Sequence, residues 1–184
     1  MTKKTDRFIV LLRGINVGGR NMIPMADLRT LCSKNGMTGV ESYIQSGNLV
    51  LSAPGNAGSV EADIERLIER RFKLSVAVIV RRASDWPAYM KGNRFPEESK
   101  SEGNRVMLAL SKRAPSPGAV EGLQERAANG ERIRQAGDAL WIHFPGGSGT
   151  SKLSPAVFDR LVGSPVTIRN WRTVLKLGEM TGKA

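Results

Sequence analysis

The feature that most narrows the fold of this chain is an order of elements that occurs twice. Residues 8–12 (Phe-Ile-Val-Leu-Leu) form a short, unbroken apolar run, the pattern of a buried strand. Pro24 then opens a helix whose apolar positions Met25, Leu28, Leu31 and Cys32 share one face, closed by Gly36. Residues 41–45 and 48–51 read as two strands with Ser46-Gly47 between them. Ser59 is the expected cap of a second helix, striped by Val60, Ile64, Leu67, Ile68 and Phe72, and residues 76–80 make a fourth strand. The order is β-α-β-β-α-β. Downstream it returns: a strand at 106–110, a helix marked by Val120, Leu123 and Ala127, and a hairpin of 132–135 with 139–144 about Gly137-Asp138. A helix opened by Ser154-Pro155 and stopped by Gly163, and a strand at 166–168, complete it. Asn170 caps a closing helix that Gly178 follows.

This predicts an α+β protein of tandem ferredoxin-like (βαββαβ) halves, residues 1–82 and 105–184. Residues 83–104 would hold a short helix and a polar, mobile connector. In the first strand Phe8, Val10 and Leu12 point one way, Ile9 and Leu11 the other, so both faces call for burial. Helices cover one face of such a sheet; the other half of the chain is the expected cover for the second, packing the halves into one unit.

The charge balance is unusual. Of 184 residues, 28 are basic and 17 acidic, a net charge of +11. The excess is spread along the chain, a field that suits nucleic acid or phosphorylated ligands, or that serves solubility alone. One cysteine, Cys32, excludes an internal disulfide, and a single histidine, His143, leaves no His/Cys metal-ligand spacing. No metal or cofactor is expected. The longest apolar runs are five residues, far short of a spanning helix, so the expectation is a cytoplasmic protein without a membrane segment.

Two donor-rich segments follow apolar strands, where α/β proteins hold ligands. In the first, Gly14, Gly18 and Gly19 let backbone amides approach an anion, Arg13 and Arg20 offer guanidinium forks, and Asn16 and Asn21 either bind or satisfy the loop's own backbone. The second carries Arg169, Asn170 and Arg172. Gln45, Ser46 and Asn48 lie in the hairpin beside the first loop; Ser46 has no sequence neighbour able to activate it and reads as a turn serine. Residues 146–152 miss both the phosphate-loop and the nucleophile-elbow spacings, leaving Lys152 near a helix start as an anion contact. His143, alternating with Trp141, reads as a packed histidine, and Trp171 as the anchor of the closing helix.

The stretches Leu11-Leu-Arg-Gly-Ile-Asn-Val-Gly-Gly-Arg-Asn21, Tyr43-Ile-Gln-Ser-Gly-Asn48, Ser151-Lys-Leu153 and Arg169-Asn-Trp-Arg-Thr-Val-Leu-Lys-Leu177 resemble the family catalogued as domain of unknown function 1697. The resemblance implies an α+β fold of ferredoxin-like halves and implies no activity and no catalytic residues. The functional expectation is a non-catalytic binder of an anionic partner, nucleic acid first, through a surface joining the two segments. The alternative is an enzyme or sensor acting on a small phosphorylated or carboxylated metabolite at the same loops. An RNA-recognition platform is not expected, because its exposed strand aromatics are missing.

Overall fold

The computed structural model describes residues 5–182. The chain divides into two compact units, one holding the residues up to Trp86 with those from Leu177 on, the other Pro87–Lys176.

In the first unit the strands are β1 (Thr5–Leu12), β2 (Thr38–Tyr43), β3 (Asn48–Pro54) and β4 (Val78–Arg82), with helices α1 (Met25–Lys34) and α2 (Ala57–Phe72). The sheet order is β2-β3-β1-β4, every pairing antiparallel. Phe8, Val10 and Leu12 face the helices and pack with Leu28 and Cys32 of α1 and with Val60, Ile64 and Ile68 of α2. Each such side chain taken from water contributes about 1.5–3 kcal/mol. Ile9, Leu11, Val50 and Ile79, on the opposite face, are buried as well. Both faces of β1 are therefore shielded from water, as its two-sided apolar pattern requires.

The edges of this sheet are treated differently. On β4, Val78 N–H and Val80 N–H donate to Glu65 and Glu61 of α2, each at 2.9 Å. Two carboxylates thus occupy donors that would otherwise recruit another strand. On β2 the pairing register shifts between Thr38 and Glu41, and no residue of the strand is buried. The cap of α2 also differs from expectation. Asn56 accepts from Ser59 N–H at 2.9 Å while Asn56 N–H donates to the Ser59 hydroxyl at 3.0 Å, a reciprocal box that begins the helix at Ala57.

The second unit holds helix α3 (Trp86–Lys91) from Pro87 on, α4 (Pro96–Ser101), β5 (Val106–Ser111), α5 (Ala119–Arg126), β6 (Arg132–Ala136), β7 (Ala139–His143), α6 (Pro155–Val162), β8 (Val166–Asn170) and the start of α7 (Trp171–Thr181). The antiparallel order β6-β7-β5-β8 repeats that of the first sheet. The edge device returns with it: Val166 N–H of β8 donates to Asp159 of α6 at 2.9 Å. Ser154 caps α6 and Gly163 ends it at φ 89°.

Within 83–104, where a short helix and a polar, mobile connector are expected, a second short helix, α4, follows α3. Phe95 is fully buried, with the guanidinium carbons of Arg132 and Arg134 5.0 and 5.4 Å from its ring centroid. Behind it α4 is clipped by Glu98 to Arg132 and, one residue past its end, by Glu102 to His143. The polar composition of this stretch belongs to an ionic seam. The closing helix likewise runs past Gly178, because Val174, Leu177 and Met180 continue its buried face.

Candidate functional site

The first donor-rich loop springs from the end of β1. Leu12 N–H donates to Gly47 O at 2.8 Å and Arg13 N–H to Ala77 O at 2.9 Å, so the loop leaves from a point pinned on both sides. Gly14, Asn16, Gly18, Gly19 and Asn21 all have positive φ. At the tip Val17 and Arg20 form an isolated antiparallel bridge, with Arg20 N–H on Val17 O at 3.0 Å around two left-handed glycines.

Asn16 is the hub. Its side-chain amide donates to Ile23 O at 2.9 Å and to Gln45 O at 2.8 Å, and its carbonyl oxygen accepts from Ile23 N–H at 2.8 Å. Asn21 donates to Gly14 O at 3.0 Å. In the adjoining turn Asn48, fully buried, donates to Tyr43 O at 3.1 Å and to the Ser46 hydroxyl at 3.0 Å. Gly47 has φ 83°, and a β-carbon there would lie 2.7 Å from Leu12 Cβ, so only glycine fits. The asparagines serve the backbone, and Ser46 serves the turn.

What the two loops turn outward is therefore Arg20 and aliphatic surface. Four large apolar residues among those described are exposed, and three sit here: Val17 at 64%, Met22 at 61% and Ile44 at 52%. Each is the sequence neighbour of a residue in the Asn16 network. Sequence reasoning passed over them; their only signal was apolar residues inside a run of glycine and asparagine.

Arg13, Asn16, Arg20, Asn21, Gln45, Ser46 and Asn48 all belong to the first unit, and the Asn16–Gln45 bond brings their two segments together. Lys152, Arg169, Asn170 and Arg172 belong to the second. Arg169 lies within β8, not on a loop. It is buried, donates to the Thr167 hydroxyl at 2.7 Å and to Ile168 O at 2.8 Å, and its burial pulls the guanidinium down to about 10. Asn170 caps α7, accepting from Thr173 N–H at 2.9 Å. Arg172 and Lys152 are exposed.

The second unit carries two further ionic clusters. His143, buried, places Nε2 3.0 Å from Glu102 and Nδ1 3.2 Å from an Arg132 nitrogen, which assigns Nε2–H as donor and Nδ1 as acceptor. The His143 hydrogen bond holds Glu102 below the ordinary glutamate value, and Arg132 does the same for Glu98. Glu131 is buried beneath the 146–152 loop. Burial opposes its charge, but hydrogen bonds from the Ser151 hydroxyl and from Asn129 N–H outweigh that and lower it. These groups lock their own segments in place.

In the first unit a cleft of about 320 Å³ is lined by Asn35, Met37, Asp63, Arg66, Leu67 and Arg70. Among the described residues no cluster of three His, Cys, Asp or Glu side chains could hold a metal ion, and no helix is long and apolar enough to cross a membrane.

Two four-stranded antiparallel sheets, each with its helices, define a mixed α+β protein. The chain belongs to the family described as Protein of unknown function (DUF1697), whose model matches residues 5–141. Its fold is similar to that of the conserved bacterial protein SP0830 from Streptococcus pneumoniae, with a TM-score of 0.73 and 23% sequence identity, covering 97% of this chain and 99% of the other. No curated protein matches it.

Proposed function

We propose that the protein is a non-catalytic binder of an anionic partner, held by the 13–23 loop and the neighbouring 44–47 turn. The observation that carries this is the Asn16 network: it fixes two loops as one surface and spends the amide donors internally, leaving Arg20 and aliphatic side chains to face outward. Such a surface offers charge and contact and no arrangement of acid, base and nucleophile. Nucleic acid, the sequence-based first candidate, is one anion that it fits. Arg169 leaves the contact set because its donors are turned to Thr167 and the backbone.

The strand order β2-β3-β1-β4, met again as β6-β7-β5-β8, supports reading each unit as a ferredoxin-like half and the pair as a tandem duplication. The single, buried cysteine supports a reducing, cytoplasmic setting.

The test is binding of mixed-sequence single-stranded RNA and of polyglutamate across a salt series, for the wild type and Arg20→Ala. Loss of one phosphate contact lowers the log–log salt slope for RNA by about 0.7. Slopes unchanged by Arg20→Ala for both polymers would remove the loop from the binding surface. A second reading, a sensor or enzyme for a small phosphorylated or carboxylated metabolite, draws on the cleft that Arg70 lines together with Asn35 and the Arg66–Asp63 ion pair. It predicts saturation at one equivalent by a small anion, abolished by Arg70→Ala.

A further inference from the structure

We infer that the anionic partner is a protein segment in which acidic and aliphatic side chains are interspersed, docking on Val17, Met22 and Ile44 with a carboxylate on Arg20. This assignment rests on the loop pair being the binding surface.

Single exposed aliphatic residues are ordinary on a protein surface, but a cluster is not. Here three of the four large apolar residues exposed among those described gather around one asparagine. Val17 follows Asn16, Met22 precedes Ile23, and Ile44 precedes Gln45; Asn16 bonds to the backbone of both Ile23 and Gln45, so the three are held by one hydrogen-bonded knot. Ile44 adds a second cost. It is β-branched and sits at φ 48°, the left-handed region that such residues avoid. A turn serving only to reverse the chain is better made with asparagine or glycine at that position. The hairpin instead keeps a strained residue whose side chain is half in solvent.

Charge names the partner. From residue 13 to 26 and from 42 to 52 the chain carries two arginines and no acidic side chain. A second copy of this protein would bring the same positive field against it, since each carries +11. The exposed residues are aliphatic, giving bases no planar face to stack on, whereas Met22 and its neighbours adapt to aliphatic side chains. Aliphatic contact on a loop pair that carries an exposed arginine and no acidic side chain fits an acidic polypeptide better than a nucleic acid.

The experiment is selection of a random dodecapeptide display library on the full chain, run in parallel on the combined variant Val17→Ser, Met22→Ser, Ile44→Asn and on Arg20→Glu. The selected peptides, mixed-sequence single-stranded RNA and phosphatidylserine vesicles are then titrated against all three proteins, with circular dichroism confirming that each is folded. We expect enrichment of peptides mixing Asp or Glu with Leu, Ile or Val, bound about tenfold or more weakly by either variant. No enrichment, or peptides that bind the variants equally well, overturns the inference. RNA or vesicles binding in a loop-dependent manner, without such peptides, overturns the polypeptide partner but upholds the anion-binding surface. If no probe responds to either loop variant, the surface itself is refuted as well.

Discussion

The side-chain amide of Asn16 donates to the carbonyl of Gln45 at 2.8 Å, joining two loops 29 residues apart in sequence. The same side chain closes its own loop through both backbone groups of Ile23. Asn16→Ala removes three hydrogen bonds and places alanine at φ 54°, so we expect a loss of about 2–4 kcal/mol in urea denaturation. Asn16→Asp keeps the acceptor for Ile23 N–H but sets a carboxylate against two carbonyls. It should fall no less far. A stability unchanged by both would show that the loops hold without this hub.

Ile44 predicts the opposite sign. Asparagine tolerates the left-handed region far better than a β-branched residue, and Ile44 is half exposed. Ile44→Asn is expected to raise unfolding stability by about 1 kcal/mol. Stability gained where a side chain is removed from the surface is the mark of a residue kept for contact with something else. A destabilised variant would mean that Ile44 packs within its own unit.

Acid should weaken the second unit. Glu98, Glu102 and Glu131 are all held below the ordinary value of 4.5 in the folded chain, so the unfolded chain takes up their protons first. Their contribution is fully present above that value and is lost as pH falls through the lower folded values. Thermal melts between pH 7 and pH 3 should show the drop beginning near pH 4.5. Glu131→Gln should cost about 1–3 kcal/mol at neutral pH, since an amide nitrogen would then face one of its two donors. It should also make the acid limb shallower.

Cys32 is fully buried in α1, and burial pushes its thiol up to about 11. A thiol reagent at pH 8 should therefore label the native protein no faster than it unfolds, and at once in denaturant. Rapid labelling of the native chain would show α1 opening independently of the rest of its unit.

Several of these features were legible before any coordinates. Ser154 and Gly163 bound α6, Pro24 starts α1, and Asn170 caps α7, because caps and breakers act within a few residues of themselves. Ser59 was half right: it belongs to the capping box but Asn56 is the cap, a difference of three residues that the competing side chains decide in place. Phe95 was hidden in a polar stretch. Its burial depends on Arg132 and Arg134 arriving from a strand more than thirty residues later.

Of the site, the sequence picks out two loops, and what they present depends on contacts it does not show. The sequence leaves Asn16 and Asn21 either to bind or to satisfy their own loop; in the structure each meets a backbone carbonyl, as Asn48 does, and Arg169 turns inward. Val17, Met22 and Ile44 drew no notice, since a lone aliphatic residue in a loop says nothing until its neighbours are known.

The sequence by itself determined the run of helices and strands, twice over, because apolar spacing and local caps act through backbone geometry within one or two turns. Tertiary structure alone decided the strand order, the carboxylates of Glu61, Glu65 and Asp159 on the sheet edges, and which polar groups remain for a partner. Those depend on hydrogen bonds between residues remote in sequence. Whether a donor is spent or offered is settled only when the chain has brought its acceptor within reach.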